Sequence, residues 1–290
     1  MSAGDGTDVP RLVVDRVTVR FAGLTALDAA SFTVEPGSVH ALIGPNGAGK
    51  STCFNVLSGV YRATSGSVRL GGHELTALPS HRTAALGLAR TFQNIVLTRG
   101  TVADNLMIGR HLHTRAGYLA SALRLPAAVR EQRVHRERAR EIAEFTGIGA
   151  HFDHPVGLLS YGDRKRVELA RALCAEPKVL LLDEPVAGMN ATERLAMART
   201  IAEVRRALGV SVLIVEHDMG LIMRIADQVT VLDFGRRIAG GTPDEVRRDP
   251  AVVRAYLGAG PDSGSDSGPD TAEQQNTAEQ QDGAEQEESA

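Results

Sequence analysis

Eight consecutive residues after a short apolar stretch restrict the fold of this 290-residue chain more than any other feature. They match the pattern G-x-x-x-x-G-K-[ST] and are Gly44, Pro45, Asn46, Gly47, Ala48, Gly49, Lys50 and Ser51. The residues before the pattern, Ser38–Ile43, predict a strand, and Gly49–Leu57 predicts a helix. Glycines let backbone N–H groups converge on phosphate oxygens, and the helix start adds its positive dipole end. The sequence therefore predicts a phosphate-binding loop, in which Lys50 reaches the β- and γ-phosphates and the Ser51 hydroxyl binds Mg²⁺.

Two carboxylates follow an apolar run farther along the chain. Val179–Leu182 predicts a strand that is buried on both faces, and Asp183 and Glu184 come directly after it. At the carboxyl end of a parallel strand, Asp183 is placed to bind Mg²⁺ through water. Glu184 is then placed to polarise an attacking water. Together with the loop, this pair predicts an ATP or GTP site that transfers a phosphoryl group to water.

Strands and helices alternate in the second half of the chain, which predicts an α/β fold with a parallel sheet and crossover helices. The other predicted strands are Arg11–Phe21, Ser67–Leu70, Val210–Val215 and Val229–Leu232. The other predicted helices are Val102–His111, Ala127–Phe145, Gly162–Ala175 and Thr192–Leu208. Thr242 predicts a further helix start, because Pro243 follows it and Glu245 can reach back to it.

Charge divides the chain into a folded part and a tail. The residues from Pro261 to Ala290 include nine acidic and no basic ones, so residues 1–260 carry +6 against −3 for the whole chain. The tail cannot bury enough apolar area to offset its conformational entropy. We therefore expect a flexible lead over residues 1–10, a folded part over 11–258, and a disordered acidic tail over 259–290 that aids solubility, with a regulatory role as the alternative.

Composition excludes several classes of protein. Cys53 and Cys174 allow one disulfide at most, and neither has a partner spaced for a cysteine zinc site. No run approaches the roughly 18 apolar residues of a membrane span, and the first residues do not form a signal peptide. These features predict a cytoplasmic protein in a reducing compartment.

The residues between the two motifs resemble a known family. Leu159–Arg166 is similar to the signature motif of ATP-binding cassette (ABC) ATPases, whose usual core is Leu-Ser-Gly-Gly-Gln. Tyr161 stands at the first glycine and Asp163 at the glutamine, while Ser160 and Gly162 are kept. The resemblance implies a nucleotide-sandwich dimer, in which Ser160 and Gly162 contact the γ-phosphate of ATP held by the partner subunit.

Other family motifs follow in the expected order. Gln93 resembles the glutamine that links the site to the transmembrane partner, and His217 resembles the switch histidine. Phe21 looks like the aromatic residue that stacks on adenine. The resemblance implies that Gln93 and His217 act with Glu184 in catalysis, and that Gln93 joins Ser51 and Asp183 at Mg²⁺. It also implies that Thr52, the residue after the loop, contacts nucleotide, and that Asn190 stands where many members have Asp.

This resemblance covers residues 11–258 and implies the whole architecture. It predicts a P-loop NTPase core of the ABC ATPase type, with a mostly parallel sheet, an antiparallel β subdomain and a helical subdomain inserted at about 94–175. ATP and Mg²⁺ are the implied cofactors. The implied partners are transmembrane permease subunits, a second ABC ATPase subunit, identical or paralogous, and indirectly a substrate-binding protein. The implied location is peripheral, at the cytoplasmic face of the cell membrane.

A narrower resemblance points to a substrate class. Gly87–Asn94, Gly117–Pro126 and Ala187–Asn190 are similar to segments of the ATP-binding subunits of branched-chain amino acid importers. We expect the larger such subunit of an importer of hydrophobic amino acids. Import of urea or amides and export of lipids stay open as alternatives.

An ABC ATPase that acts on nucleic acid or ribosomes is also an alternative. Only the interval from Ser51 to Ser160 separates the loop from the signature, and it contains no sustained heptads that predict a coiled coil. No basic cluster with interleaved aromatic residues is present either, so we expect no nucleic-acid partner.

Overall fold

A computed structural model describes residues 9–91, 95–114, 123 and 125–257, with the backbone alone at residue 257. Its strands are β1 (Leu12–Phe21), β2 (Leu24–Val34), β3 (Val39–Ile43), β4 (Ser65–Leu70), β5 (His73–Glu74), β6 (Leu88–Arg90), β7 (Val179–Asp183), β8 (Ser211–Val215), β9 (Gln228–Asp233) and β10 (Arg236–Gly241). Its α-helices are α1 (Lys50–Leu57), α2 (Ser80–Ala85), α3 (Val102–Gly109), α4 (Pro126–Phe145), α5 (Tyr161–Leu173), α6 (Ala191–Leu208), α7 (Met219–Ile225), α8 (Pro243–Arg248) and α9 (Pro250–Leu257). Short 3₁₀ turns cover His111–His113, Gly149–His151 and Val156–Leu158.

The strands form two sheets. The larger has the order β10-β9-β3-β8-β7-β6, and all its pairs are parallel except the β9–β10 hairpin at one edge. The smaller is antiparallel, in the order β2-β1-β4-β5. Helices α3, α4 and α5 pack on one another and lie in the chain between β6 and β7. The expected mostly parallel sheet and antiparallel β part are therefore confirmed.

The central strands are mainly apolar because each faces two cores. Along β3, Ala41 and Ile43 face the core that includes the helices α3 to α5, while Leu42 faces the core under the antiparallel sheet. In β7, Leu182 faces the first of these cores and Leu181 faces the second. A strand with both faces covered cannot alternate apolar with polar residues, which explains the continuous runs in the sequence.

Every predicted strand and helix is present, and its ends lie within one or two residues of the expected positions. Helix α3 ends at Gly109 rather than at the expected His111. A Cβ at Gly109 would lie 2.2 Å from the carbonyl oxygen of Arg171, so the chain approaches α5 closely there before it turns. The expected start at Thr242 is confirmed, since Thr242 and Glu245 form a capping box.

The sequence analysis missed one long strand, β2, which pairs antiparallel with β1 along its length.

Within the described residues, no helix is both long and apolar enough to cross a membrane. The predicted lead over residues 1–8, the tail beyond residue 257 and most of Gly117–Pro126 lie outside the described residues. The boundaries predicted for the lead, the inserted helical subdomain and the tail therefore stay predictions.

Candidate active site

The phosphate loop lies between β3 and α1, as the sequence predicted. Its path depends on glycine at two positions. A Cβ at Gly44 would lie 2.0 Å from the carbonyl oxygen of Leu232, and one at Gly49 would lie 2.6 Å from that of Ala26. Gly49 also has a left-handed backbone, with φ of 98°, at the cap of α1. The loop can thus pack against the neighbouring backbone only because these side chains are missing.

Lys50 is buried at the start of α1, and its ammonium group lies over the loop. Its Nζ donates hydrogen bonds to the carbonyl oxygens of Gly44, at 2.6 Å, and Pro45, at 2.8 Å. Burial lowers the pKa of Lys50, and the charges of Glu184 and Asp183 oppose that shift. The lysine is thus held at the loop and within electrostatic reach of both carboxylates.

The hydroxyl-bearing residues of the first turn of α1 differ in exposure. Ser51 is exposed and Thr52 is half-buried. Asn46 and Gly47 are exposed at the outer part of the loop, whereas Ala48 is buried. The outer part of the loop and Ser51 are therefore open to solvent, where a triphosphate can approach.

Asp183 ends β7 with a buried carboxylate. Its Oδ2 accepts a hydrogen bond from Nη2 of Arg90 at 2.8 Å, and its backbone N–H donates to Oγ1 of Thr91 at 3.2 Å. Its Oδ1 is also buried and has no hydrogen-bond partner among the described residues. A buried carboxylate oxygen without a partner is costly, and a cation would satisfy it.

The residues present therefore fit Mg²⁺. Carboxylate and hydroxyl oxygens are ligands that Mg²⁺ prefers, and Asp183 and Ser51 supply them. In the described part of the chain, no group of three or more His, Cys, Asp or Glu residues could hold a metal ion.

Glu184 and His217 contact each other across 33 residues of sequence, since Nε2 of His217 lies 3.0 Å from Oε1 of Glu184. Glu184 has a left-handed backbone, with φ of 48°. Its N–H donates to the carbonyl oxygen of Val215 at 2.9 Å, which ties the residue after β7 to the end of β8. The Glu184 side chain is 18% exposed and the His217 side chain 47% exposed, so the pair lies at the rim of the site.

The signature residues are placed at the start of α5. Ser160 caps this helix: its Oγ accepts from the N–H of Asp163 at 3.1 Å and donates to Oδ2 of Asp163 at 2.8 Å. Gly162 packs against Glu193, to which a Cβ at that position would come within 2.6 Å. Among the described residues, neither Ser160 nor Gly162 hydrogen-bonds to the phosphate loop.

Phe21 ends β1 with a ring that is 41% exposed. It packs edge-on against Tyr61, with the ring centroids 5.2 Å apart. Gln93 lies outside the described residues, so its predicted roles stay predictions.

The sequence analysis assigned no role to Arg90, Tyr61 or Glu216. Arg90 stands three residues before Gln93 at the end of a strand, and only the pairing of β6 with β7 reveals that it meets Asp183.

Comparison with known proteins decides the family. Residues 27–187 match a family model described as ABC transporter. The chain belongs to the ABC transporter family. A second family model, described as branched-chain amino acid ATP-binding cassette transporter, matches residues 236–262 of this ABC protein.

Full-length relatives agree with that assignment. The high-affinity branched-chain amino acid transport ATP-binding protein BraF of Pseudomonas aeruginosa is 41% identical over 250 residues, which cover 86% of this chain and 98% of BraF. The corresponding LivG protein of Escherichia coli is 39% identical over the same shares of both chains.

Solved structures confirm the fold class. A nucleotide-free ATP-binding cassette from an ABC transporter superposes with a TM-score of 0.75 at 32% identity, covering 85% of this chain and 98% of that one. The ADP conformation of MJ1267, another ATP-binding cassette, gives 0.75 at 33% identity, covering 86% and 99%. The chain has the ABC ATPase fold and is an ATPase of this family, as the signature motif led us to expect.

Proposed function

We propose that this chain hydrolyses ATP to power an importer of branched-chain or other hydrophobic amino acids. One observation carries the substrate class: 39–41% identity, over nearly the whole length of BraF and LivG, to proteins named for branched-chain amino acid transport. The match of residues 236–262 to a branched-chain amino acid transporter model supports it from a separate segment.

In this proposal the phosphate loop binds the triphosphate of ATP. The backbone N–H groups of the loop residues Asn46, Gly47, Gly49, Lys50 and Ser51 face the phosphate oxygens, and Thr52 adds a contact from the first turn of α1. Lys50 exchanges its bonds to the loop carbonyls for bonds to the β- and γ-phosphates, and so neutralises charge where it develops. Phe21 stacks on the adenine.

Glu184 is the proposed general base. It accepts a proton from the water that attacks the γ-phosphate, and His217, 3.0 Å from its carboxylate, holds it in place. Gln93 is the proposed third catalytic residue, which orients that water. This assignment uses the one pair of the described site residues in which a carboxylate and an imidazole already touch.

Mg²⁺, when bound, neutralises charge on the β- and γ-phosphates. Asp183, Ser51 and Gln93 are the residues that would hold it. Arg90 keeps one oxygen of Asp183 occupied, so the other is directed to the metal.

Ser160 and Gly162 act in a partner subunit in this proposal. Their place at the N-terminus of α5 gives them backbone N–H groups and a positive dipole end, which suit a γ-phosphate that a second cassette presents. The partners are thus a second ABC ATPase subunit and transmembrane permease subunits, with a substrate-binding protein that acts through the permeases. The assembly lies at the cytoplasmic face of the cell membrane.

Purification of the tagged chain from gently solubilised native membranes tests these partners. We expect mass spectrometry to identify two multi-span permeases and a cassette ATPase, which a tag-only sample lacks. Recovery of ribosomes or DNA, or of no membrane protein, would contradict the transport proposal and leave the ATPase chemistry standing.

A further inference from the structure

Glu216 is a buried acid to which the hydrolysis scheme assigns no role. It follows β8 directly and is only 4% exposed. A carboxylate withdrawn from water in this way is costly unless hydrogen bonds compensate for its lost solvation. Its partners therefore indicate what the residue does.

The partners are backbone N–H groups from two different loops. Oε1 of Glu216 accepts from the N–H of Val186 at 2.9 Å, and Oε2 accepts from the N–H of His217 at 3.1 Å. Val186 lies two residues after Glu184, in the turn that follows β7. One carboxylate thus joins the loop that carries Glu184 to the loop that carries His217.

These bonds complete a ring of hydrogen bonds around Glu184 and His217, the proposed hydrolytic pair. Glu184 is bonded through its own N–H to Val215 and through its carboxylate to His217. Glu216 adds the link from His217 back to Val186, and so fixes the backbone on both sides of the pair. Burial raises the pKa of Glu216, while the N–H groups of Val186, His217 and Asp218 lower it and the charge of Glu184 raises it.

We propose that Glu216 is a positioning residue for ATP hydrolysis, which holds the loops of Glu184 and His217 at the separation that keeps their side chains in contact. The role rests on the proposed functions of Glu184 and His217. Glu216 itself touches neither nucleotide nor water in this scheme.

The chemistry requires a carboxylate of this length. The N–H groups of Val186 and His217 approach different oxygens of the group, and a carboxylate offers an acceptor oxygen to each. Glutamine offers one oxygen and places an NH₂ group against the second donor. Aspartate is one methylene shorter, so it keeps the charge but loses reach to one loop.

Steady-state ATPase assays on the purified full chain compare wild type with Glu216→Gln and Glu216→Asp. We expect kcat to fall about 10-fold in both, because a buried hydrogen bond to a charged group is lost. KM and the dissociation constant of a fluorescent ATP analogue stay within about 2-fold, because the phosphate loop is untouched. Glu203→Gln, an exposed glutamate of α6, is the matched control and keeps wild-type kcat.

A double-mutant cycle separates positioning from general stability. If Glu216 acts through His217, Glu216→Gln lowers kcat far less in a His217→Ala background than in wild type. An unchanged kcat in both Glu216 variants, or a full 10-fold loss in both backgrounds, overturns the proposal. If Glu216→Gln does not fold, Glu216→Asp decides by the same criteria. Wild-type turnover in Glu184→Gln and His217→Ala would instead overturn the hydrolysis scheme itself.

Discussion

At the residue scale, the site depends on pairs that are distant in sequence and adjacent in space. Glu184 meets His217 across 33 residues, and Arg90 meets Asp183 across 93. The parallel register of β6, β7 and β8 sets both contacts, because their carboxyl ends meet at one edge of the sheet. The proposed scheme of hydrolysis therefore depends on strand register as much as on the motifs.

Replacement of Glu184 by glutamine tests the general base directly. We expect kcat for ATP hydrolysis to fall by about 100-fold or more, because the amide cannot accept the proton of the attacking water. ATP binding persists, since Gln keeps the size of the side chain. Glu203→Gln serves as the control for the loss of one negative charge. A kcat within about 3-fold of wild type would remove Glu184 from this role.

His40 makes stability depend on pH from a buried position in β3, the strand that leads into the phosphate loop. It lies in β3, stacks on Phe32 and bonds through Nε2 to Oγ1 of Thr230 at 2.9 Å. Burial first, and then the charge of Arg237, lowers the pKa of His40 from 6.5 to about 4, against a smaller raising effect of the Thr33 backbone.

Because the pKa is lower in the folded chain than in the unfolded chain, the unfolded state binds more protons between pH 4 and 6.5. The free energy of unfolding therefore falls as the pH falls through this window. We expect wild type to lose about 3 kcal/mol more between pH 7 and pH 4 than His40→Gln, which cannot titrate. Urea unfolding followed by circular dichroism measures the difference, and equal losses in both proteins would contradict this account of His40.

Residues such as Glu216 and Arg90 could not be assigned from sequence alone. An acid after a buried strand predicts either a metal ligand or an exposed cap, whereas Glu216 follows β8 and is buried against the N–H groups of Val186 and His217. Lys50 and Ser51 could be chosen because their spacing in a strand–loop–helix unit is typical of phosphate-binding loops, and Asp183 because it ends a buried strand beside such a loop.

At the scale of elements, two departures from the usual family motifs, Tyr161 and Asn190, find partners within the same chain. Tyr161, at the start of α5, packs on Gly188 in the loop before α6, and a Cβ at Gly188 would lie 2.9 Å from Cε1 of the tyrosine. Asn190 caps α6, accepting from the N–H of Glu193 and donating its own N–H to that carboxylate. The signature loop and the loop after Glu184 thus form one packed unit.

Gly188→Ala tests this packing. The position has φ of +76°, where alanine costs about 1 kcal/mol, and the contact with Tyr161 adds roughly another 1–3 kcal/mol of overpacking. Gly37→Ala is the matched control, because its φ is +62° and nothing lies within 4 Å of the new Cβ. We expect Gly188→Ala to lower the free energy of unfolding more than the control does. Equal losses would show that the Tyr161 ring moves aside with no loss in the free energy of unfolding.

Buried strands were predictable at this scale, whereas β2 was not. β3, β7 and β8 are apolar on both faces, and that pattern is typical of a covered parallel strand. β2 contains irregular pairing with β1 and a left-handed residue, Ala29, with φ of 49°, so its polar and apolar residues do not alternate regularly. Its partner strand, rather than its own sequence, stabilises it.

At the scale of the whole molecule, the fold places the phosphate loop, its two neighbouring carboxylates and the signature-like loop in the same chain. The phosphate loop, Asp183 and Glu184 share the carboxyl edge of the large sheet, whereas Ser160 caps a helix of the segment between β6 and β7. No sequence pattern in such an ATPase identifies the solute that its transporter carries. The amino acid assignment follows from relatives over the whole length, and the permeases would decide it.

Uptake of radiolabelled leucine by cells of the native host tests the central claim most directly. Cells without the chain are supplied with wild type or with Glu184→Gln at equal expression, and uptake of labelled urea is followed in parallel. We predict that wild type restores leucine uptake and that Glu184→Gln does not, while urea uptake is the same in all strains. Two results would contradict the account. One is leucine uptake that is the same with and without the chain, and the other is a loss of urea uptake alone in cells that lack the chain.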